Sequence, residues 1–332
     1  MRGHETARWS RLAGLAALTA AVLLLAACEA VDEPASEPDE ATVDIDEAAE
    51  PDAETLVALE LGSDHFASGS SHTCGLEADG TPVCWGLDQF DQASPPEGVA
   101  LTAVSAGGTH TCALDADGTA VCWGHDGSGQ ASPPEGARLE AITSGYRHSC
   151  GLEEDGTPVC WGDDEDGQAS PPDEVALTAI SAAGVHTCGL EDDGTPVCWG
   201  FDEDGQASPP EEVELTAITA GVLNTCGLEA DGTPVCWGSD EFGQSSPPEG
   251  VALTAISAGG GHTCGLQADG TPVCWGDDEG GQASPPAGVE LAVISAGWYH
   301  TCGLEADGAP VCWGEDGSGQ ASPPGGGAPA AP

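Results

Sequence analysis

The chain has 332 residues, and 57 Asp or Glu stand against 5 Arg with no Lys, for a formal net charge of −52. A surface of that sign repels nucleic acid and excludes it as a partner. The 15 cysteines point to an oxidising compartment rather than the cytosol.

Residues 1–27 read as a secretion signal. Arg2, Arg8 and Arg11 form a basic start, and an apolar run from Leu12 to Ala27 follows, too short for an ordinary membrane span. The run ends Leu25-Ala26-Ala27-Cys28, which resembles a bacterial lipobox. Fourteen other cysteines pair off and leave Cys28 alone, so Cys28 is expected to carry the lipid that holds the protein to a membrane. Glu29 after it suggests, by analogy, export to the outer membrane of a bacterial cell envelope. Residues 28–62 carry thirteen acidic and no basic residues, the composition of an extended, disordered tether. Leu56 to Leu61 is more apolar and suits an added strand.

From residue 63 to 325 a 38-residue unit runs seven times without insertion, marked by Cys-Trp at Cys84, Cys122, Cys160, Cys198, Cys236, Cys274 and Cys312. Residues 326–332 are a Gly/Pro/Ala tail. A fixed period in this range signals a repeat architecture. Each unit opens with an apolar run such as Leu177 to Ser181, continues through a hairpin, and closes with a polar loop and Gln-Ala-Ser-Pro-Pro or a close variant. Three strands per unit are expected. A fourth in the Ser-Pro-Pro stretch conflicts with two prolines.

The hairpin can be derived from its turn. Ala78-Asp79-Gly80 suits a three-residue loop with Gly80 at positive φ. The register then pairs Leu76 with Pro82, Gly75 with Val83 and Cys74 with Cys84. Pro82 has no N–H and must fall in a non-hydrogen-bonded pair. Cys74 and Cys84, two pairs on, share that geometry, with Cα atoms roughly 4.5 Å apart. The same argument predicts Cys112–Cys122, Cys150–Cys160, Cys188–Cys198, Cys226–Cys236, Cys264–Cys274 and Cys302–Cys312. Cys74, Leu76, Pro82 and Cys84 are placed on one face. Gly75, Val83 and Trp85 are placed on the other, with Gly75 leaving room for the indole. Short antiparallel strands in seven equal units suit an all-β, seven-bladed β-propeller, which removes the open edges of a stack. A β-solenoid is the alternative, and the antiparallel hairpin disfavours it.

Ser257–Leu266 and Asp269–Gln282 read SAGGGHTCGL and DGTPVCWGDDEGGQ. This run resembles the repeat of the regulator of chromosome condensation family. The resemblance implies a seven-bladed propeller. In length the unit is more similar to the secreted bacterial β-lactamase-inhibitor branch of that family, which implies three strands per blade. The chain departs from the family pattern at the two cysteines, usually small or apolar residues, and at the Asp after Trp, usually Asn.

Candidate chemistry is sparse. His72, His110, His148, His186, His262 and His300 recur two residues before the first cysteine, with Asn224 in the fifth unit. The resemblance implies packing and hydrogen bonding for them, and ligands on separate blades are too dispersed for a metal. No Ser/His/Asp set, phosphate-binding Gly loop or CxxC pair stands out, so no enzyme activity and no cofactor are expected. Calcium is a lesser alternative at Asp163–Gly167 and Asp202–Gly205, acidic loops without full EF-hand spacing. The units differ most in the pair before the recurring His and in the loop after Trp-Gly. Both loops fall at one end of an up-down-up blade, and the Asp-Gly turns at the other. Tyr146, Arg147, Val222, Leu223, Trp298 and Tyr299 are therefore the expected anchors for a protein or other ligand, on a monomer. A structural or stress-tolerance role without a specific ligand is the competing expectation.

Overall fold

The Asp-Gly turn of each unit fixes one hairpin, and the hairpins build the whole fold. The structure, a computed structural model, describes residues 65–325. The signal segment, Cys28, the acidic tether with Leu56–Leu61, and residues 326–332 lie outside them. Strands β1 (Phe66–Ser68), β2 (His72–Leu76) and β3 (Pro82–Gly86) form one antiparallel sheet in that order. Six equivalent sheets follow, ending with β19 (Val293–Ala296), β20 (His300–Leu304) and β21 (Pro310–Gly314). The Ser-Pro-Pro stretches form no fourth strand among the described residues.

The derived register holds. Leu76 pairs with Pro82, Gly75 with Val83 and Cys74 with Cys84. Gly80 sits at φ 84°, and its N–H closes the turn on the Glu77 carbonyl at 2.9 Å. All seven intra-blade disulfides are present, with Cα atoms 4.0 or 4.1 Å apart. Two details of the expectation are corrected. The fourth blade's first strand begins at Ala179, and Leu177 belongs to the connection, where its N–H donates to the Gly156 carbonyl of the preceding turn at 2.9 Å. The space left by the hairpin glycine is filled from the first strand's side, not by the indole. A Cβ on Gly151 would lie 2.6 Å from Leu139 Cδ1, and one on Gly75 would lie 3.1 Å from the Phe66 ring. The tryptophan instead reaches the preceding blade. Trp123 packs with Leu101 and Val104 on Cys74 and Leu76, and Trp85 packs with Phe66 on Val293, Cys302 and Leu304. The last blade thus covers the first and closes the ring.

Hydrogen bonds cross every blade junction in the same direction. The carbonyl of Gln92, after the first blade, accepts from Thr111 Oγ1 at 2.9 Å and from Trp123 Nε1 at 3.0 Å of the second. Gln130, Gln168, Gln206, Gln244 and Gln282 repeat this. Gln320 closes it, accepting from Thr73 at 3.2 Å and Trp85 at 3.0 Å. The Gln92 Oε1 meanwhile accepts from the N–H of Phe90, which stiffens the loop that carries the carbonyl.

The recurring histidines complete the junction. His72 Nε2 meets Thr111 Oγ1 at 2.9 Å, and His300 Nε2 meets Thr73 Oγ1 at 2.8 Å, with equivalent pairs between. The hydroxyl's single proton is donated to the Gln carbonyl, so the imidazole must donate from Nε2. That leaves Nδ1 as a bare acceptor, and it has no partner in any of the six histidines. Asn224 fits the same logic: its Nδ2 donates to Thr263 at 3.4 Å and its Oδ1 is left unpaired.

Ending the chain after Gly314 should remove the Gln320 clasp and orphan two buried donors, on Thr73 and Trp85. Each orphan costs about 1–3 kcal/mol, so this form should melt clearly below one ending after Gly325. Equal melting temperatures would refute the role of the clasp.

Burial holds the six junction imidazoles, a belt around the ring, neutral. The pKa falls from 6.5 to about 4 for His72, His148 and His262, and to about 3 for His110, His186 and His300. In the unfolded chain these groups charge near 6.5. Unfolding between these values therefore takes up protons, and the contribution of these histidines, complete above about pH 6.5, is lost as pH falls toward about 4 for the first three and about 3 for the others. Each histidine adds up to about 1.4 kcal/mol per pH unit to that slope. His186→Asn, copying Asn224, should flatten calorimetric stability against pH by about one such step. An unchanged slope would contradict the buried neutral imidazole.

Candidate functional site

The two variable loops of each blade are joined at one end of the ring. The Leu87 N–H donates to the Ser71 carbonyl at 2.7 Å, and His125, Asp163, Phe201, Ser239, Asp277 and Glu315 do the same in their own blades. The Asp-Gly turns sit at the other end of the hairpins and bond to the connection entering the next blade. Each inner loop also donates one N–H to the next blade, from Ser70 to Gly107 through Trp298 to Gly69, in a closed circle of seven. This circle frames the mouth of a central cavity of about 300 Å³, lined by the inner strands and by Tyr146, Val222 and Trp298.

Of the expected anchors, Tyr146, Val222 and Trp298 line this mouth, and two of these meet across it. Tyr146 of the third blade packs edge-on against Trp298 of the seventh, with centroids 5.0 Å apart. Tyr299 stacks on Trp298 at 5.8 Å. Small residues in the preceding blades make room for them. A Cβ on Gly108 would lie 2.5 Å from Tyr146 Cδ2, and one on Gly260 only 1.8 Å from Trp298 Cδ1. Trp298 is half-buried, so it is a packed part of the mouth and not a free projection as its loop position suggests. At Gly184 it is the main chain of Val222 that comes close, and the Val222 and Leu223 side chains are half-buried. Arg147 is exposed, pairs with Asp163 at 3.2 Å and donates to Ser128 of the neighbouring blade.

The large apolar side chains that the described residues leave exposed are Phe90 (45%), Tyr146 (39%), Phe242 (56%) and Tyr299 (46%), and all four belong to this end. Phe90 sets its ring against His125 of the next blade, with centroids 4.7 Å apart. The aromatic contacts of this end therefore form two groups, Phe90 with His125 and Tyr146 with Trp298 and Tyr299, and the Arg147–Ser128 bond ties the two loops that carry them.

The acidic loops after Trp-Gly have a structural duty. Asp88 accepts from the Ala93 N–H at 2.8 Å and from Ser94 Oγ at 2.7 Å. Asp164 and Asp202, within the two loops considered for calcium, are engaged in the same way by Ala169 and Ser170, and by Ala207 and Ser208. Among the described residues no group of three or more His, Cys, Asp or Glu converges as a metal site. The Gln clasp and the Thr hydroxyl below each His escaped the reading of the sequence. Their signal was present: Gln recurs in all seven units, and the one exchange of Thr, at Ser149, keeps the hydroxyl.

Four units, residues 101–130, 140–168, 253–282 and 292–320, match the family model described as the regulator of chromosome condensation (RCC1) repeat. No curated protein sequence matches the chain. Among solved structures it is similar to the ectodomain of the Physcomitrella patens receptor kinase CR4, at 28% identity over 76% of this chain and 73% of that one, with a TM-score of 0.66. The CRINKLY WD40 ectodomain of the Arabidopsis thaliana receptor kinase ACR4 is 25% identical over 76% of this chain and 95% of that one, with a TM-score of 0.65. Prp20p of Saccharomyces cerevisiae shares the fold, at 15% identity over 77% of this chain and 83% of that one, with a TM-score of 0.63. The three units outside the family match carry the same strands, disulfide and clasp, and the chain is a seven-bladed β-propeller in which four blades carry the regulator of chromosome condensation repeat.

Proposed function

We propose that this protein is an extracytoplasmic binding module that takes a protein or other ligand on the aromatic rim, tethered to a membrane of the bacterial envelope by a lipid on Cys28. The single observation that carries the rim assignment is the gathering of all four exposed large apolar side chains at the end where the units vary. Unconstrained drift would scatter such residues over both ends. Rigid aromatic groups at the centre of a surface are typical anchors of interfaces. Yeast Prp20, which shares this fold, has been solved with Kap60 bound, and two similar propellers are receptor ectodomains. Seven disulfides suit the same oxidising side of a membrane. The acidic stretch 28–62 would serve as the spacer between lipid and propeller.

Tyr146→Ala with Tyr299→Ala should abolish capture of the partner that the intact protein retains from envelope extract. The melting temperature should move little, because both side chains are exposed and such changes cost about 1 kcal/mol or less. Capture that survives this change and is lost on altering the Asp-Gly turns would move the site to the opposite end. No rim-dependent capture at all would favour the structural role.

Cys28→Ser should release the protein from the membrane fraction without changing its melting. Sedimentation with membranes at high salt, despite the change, would put the anchor elsewhere.

A further inference from the structure

The rim has a chemistry that selects among partners. Its centre is aromatic and fixed in place: Tyr146, Trp298 and Tyr299 are locked by mutual packing and by the space at Gly108 and Gly260. Fixed rings lose little freedom on binding. Around them stand the loops after Trp-Gly, which carry Asp163, Asp164, Glu165 and Asp166 in one blade and Asp277, Asp278 and Glu279 in another. Two cations belong to the described residues. Arg147 is held by Asp163 and Ser128, and Arg138 is turned to the Asp117 carbonyl in an Asp-Gly turn at the far end. The rim therefore presents ring faces, whose quadrupole attracts cations, inside a field of one sign. An anionic partner is repelled, and a neutral one leaves that field unused.

We infer that the partner docks a segment bearing Arg or Lys side chains on the Tyr146–Trp298–Tyr299 band, with the surrounding carboxylates steering it in. This rests on the rim being the binding face, and it adds the chemical class of what binds there. The aromatic faces fix the position, and the carboxylates supply long-range attraction. Affinity should therefore fall as salt rises, with a residue that depends on the rings.

The test uses the full chain and three labelled peptides: a short Arg/Gly peptide, its Gln-for-Arg counterpart and its Glu-for-Arg counterpart. The Arg peptide should bind, and the other two should not. Trp298→Leu with Tyr146→Leu leaves the net charge untouched and should weaken the Arg peptide about tenfold or more. Gly260→Ala, which displaces Trp298 without removing it, should weaken binding in the same direction. Asp155→Asn with Asp193→Asn, at the opposite end, removes two charges and should change affinity by about twofold or less. Tyr299→Leu gives a second reading if the double variant fails to fold. Equal binding by parent and aromatic variants would reduce the attraction to diffuse charge and overturn the inference. A captured partner that needs the rim but presents no basic segment would overturn it too, while leaving the rim as the binding face.

Discussion

Everything in this ring depends on one carbonyl per blade. The main-chain oxygen of Gln92 and its six equivalents accepts an indole N–H and a threonine hydroxyl, or that of Ser149 at Gln130, from the following blade. Both donors are buried, so both need that oxygen. Once the hydroxyl's proton is spent on the carbonyl, the histidine behind it can bond only by donating from Nε2. Once the indole is pinned, its ring lies on the disulfide and leucine of the blade before. Packing, tautomer and blade order follow from the same atom. The cysteines strengthen each blade from within, and the clasp orders the blades.

The parts of this that could be read from residues alone are the local ones. Asp79-Gly80 sets the turn, the turn sets the register, and the register brings Cys74 to Cys84. Each step spans a few residues and has one stereochemical solution. What lay between blades was hidden. Gly75 announces that something fills its space, but not whether Trp85 or the ring of Phe66 does so. The pairing of Tyr146 with Trp298 joins positions 152 residues apart in number, and no local rule places them together. The two ends of the blade were legible because alternation of strand direction alone decides them. That Tyr146, Trp298 and Tyr299 pack together at the mouth was not.

Division of labour between scaffold and rim explains where change is tolerated. Residues of the clasp recur in every unit, and the two exchanges at the junction, Asn224 for His and Ser149 for Thr, keep the bond to the counterpart next door. The inner loops donate one main-chain N–H each to the circle at the mouth, whatever their side chains. Side chains there are released from the fold's needs, within the space a neighbour leaves. Ala183 shows the limit. It replaces the glycine of the other units, and its N–H stands 3.4 Å from the His186 carbonyl, where the glycines stand at 2.7 to 2.9 Å.

The clasp always points forward, from one unit to the blade that follows, and Gln320 makes the same clasp to the first blade. Among the described residues no blade is shared between the two ends: β1, β2 and β3 come from one continuous stretch, as do β19, β20 and β21. The ring therefore has no seam. A circularly permuted chain cut at any other joint keeps every strand pair, every disulfide and every clasp. Growth by duplication has a natural end on this plan, because an incomplete ring always leaves one Gln carbonyl without a blade and one blade without its carbonyl.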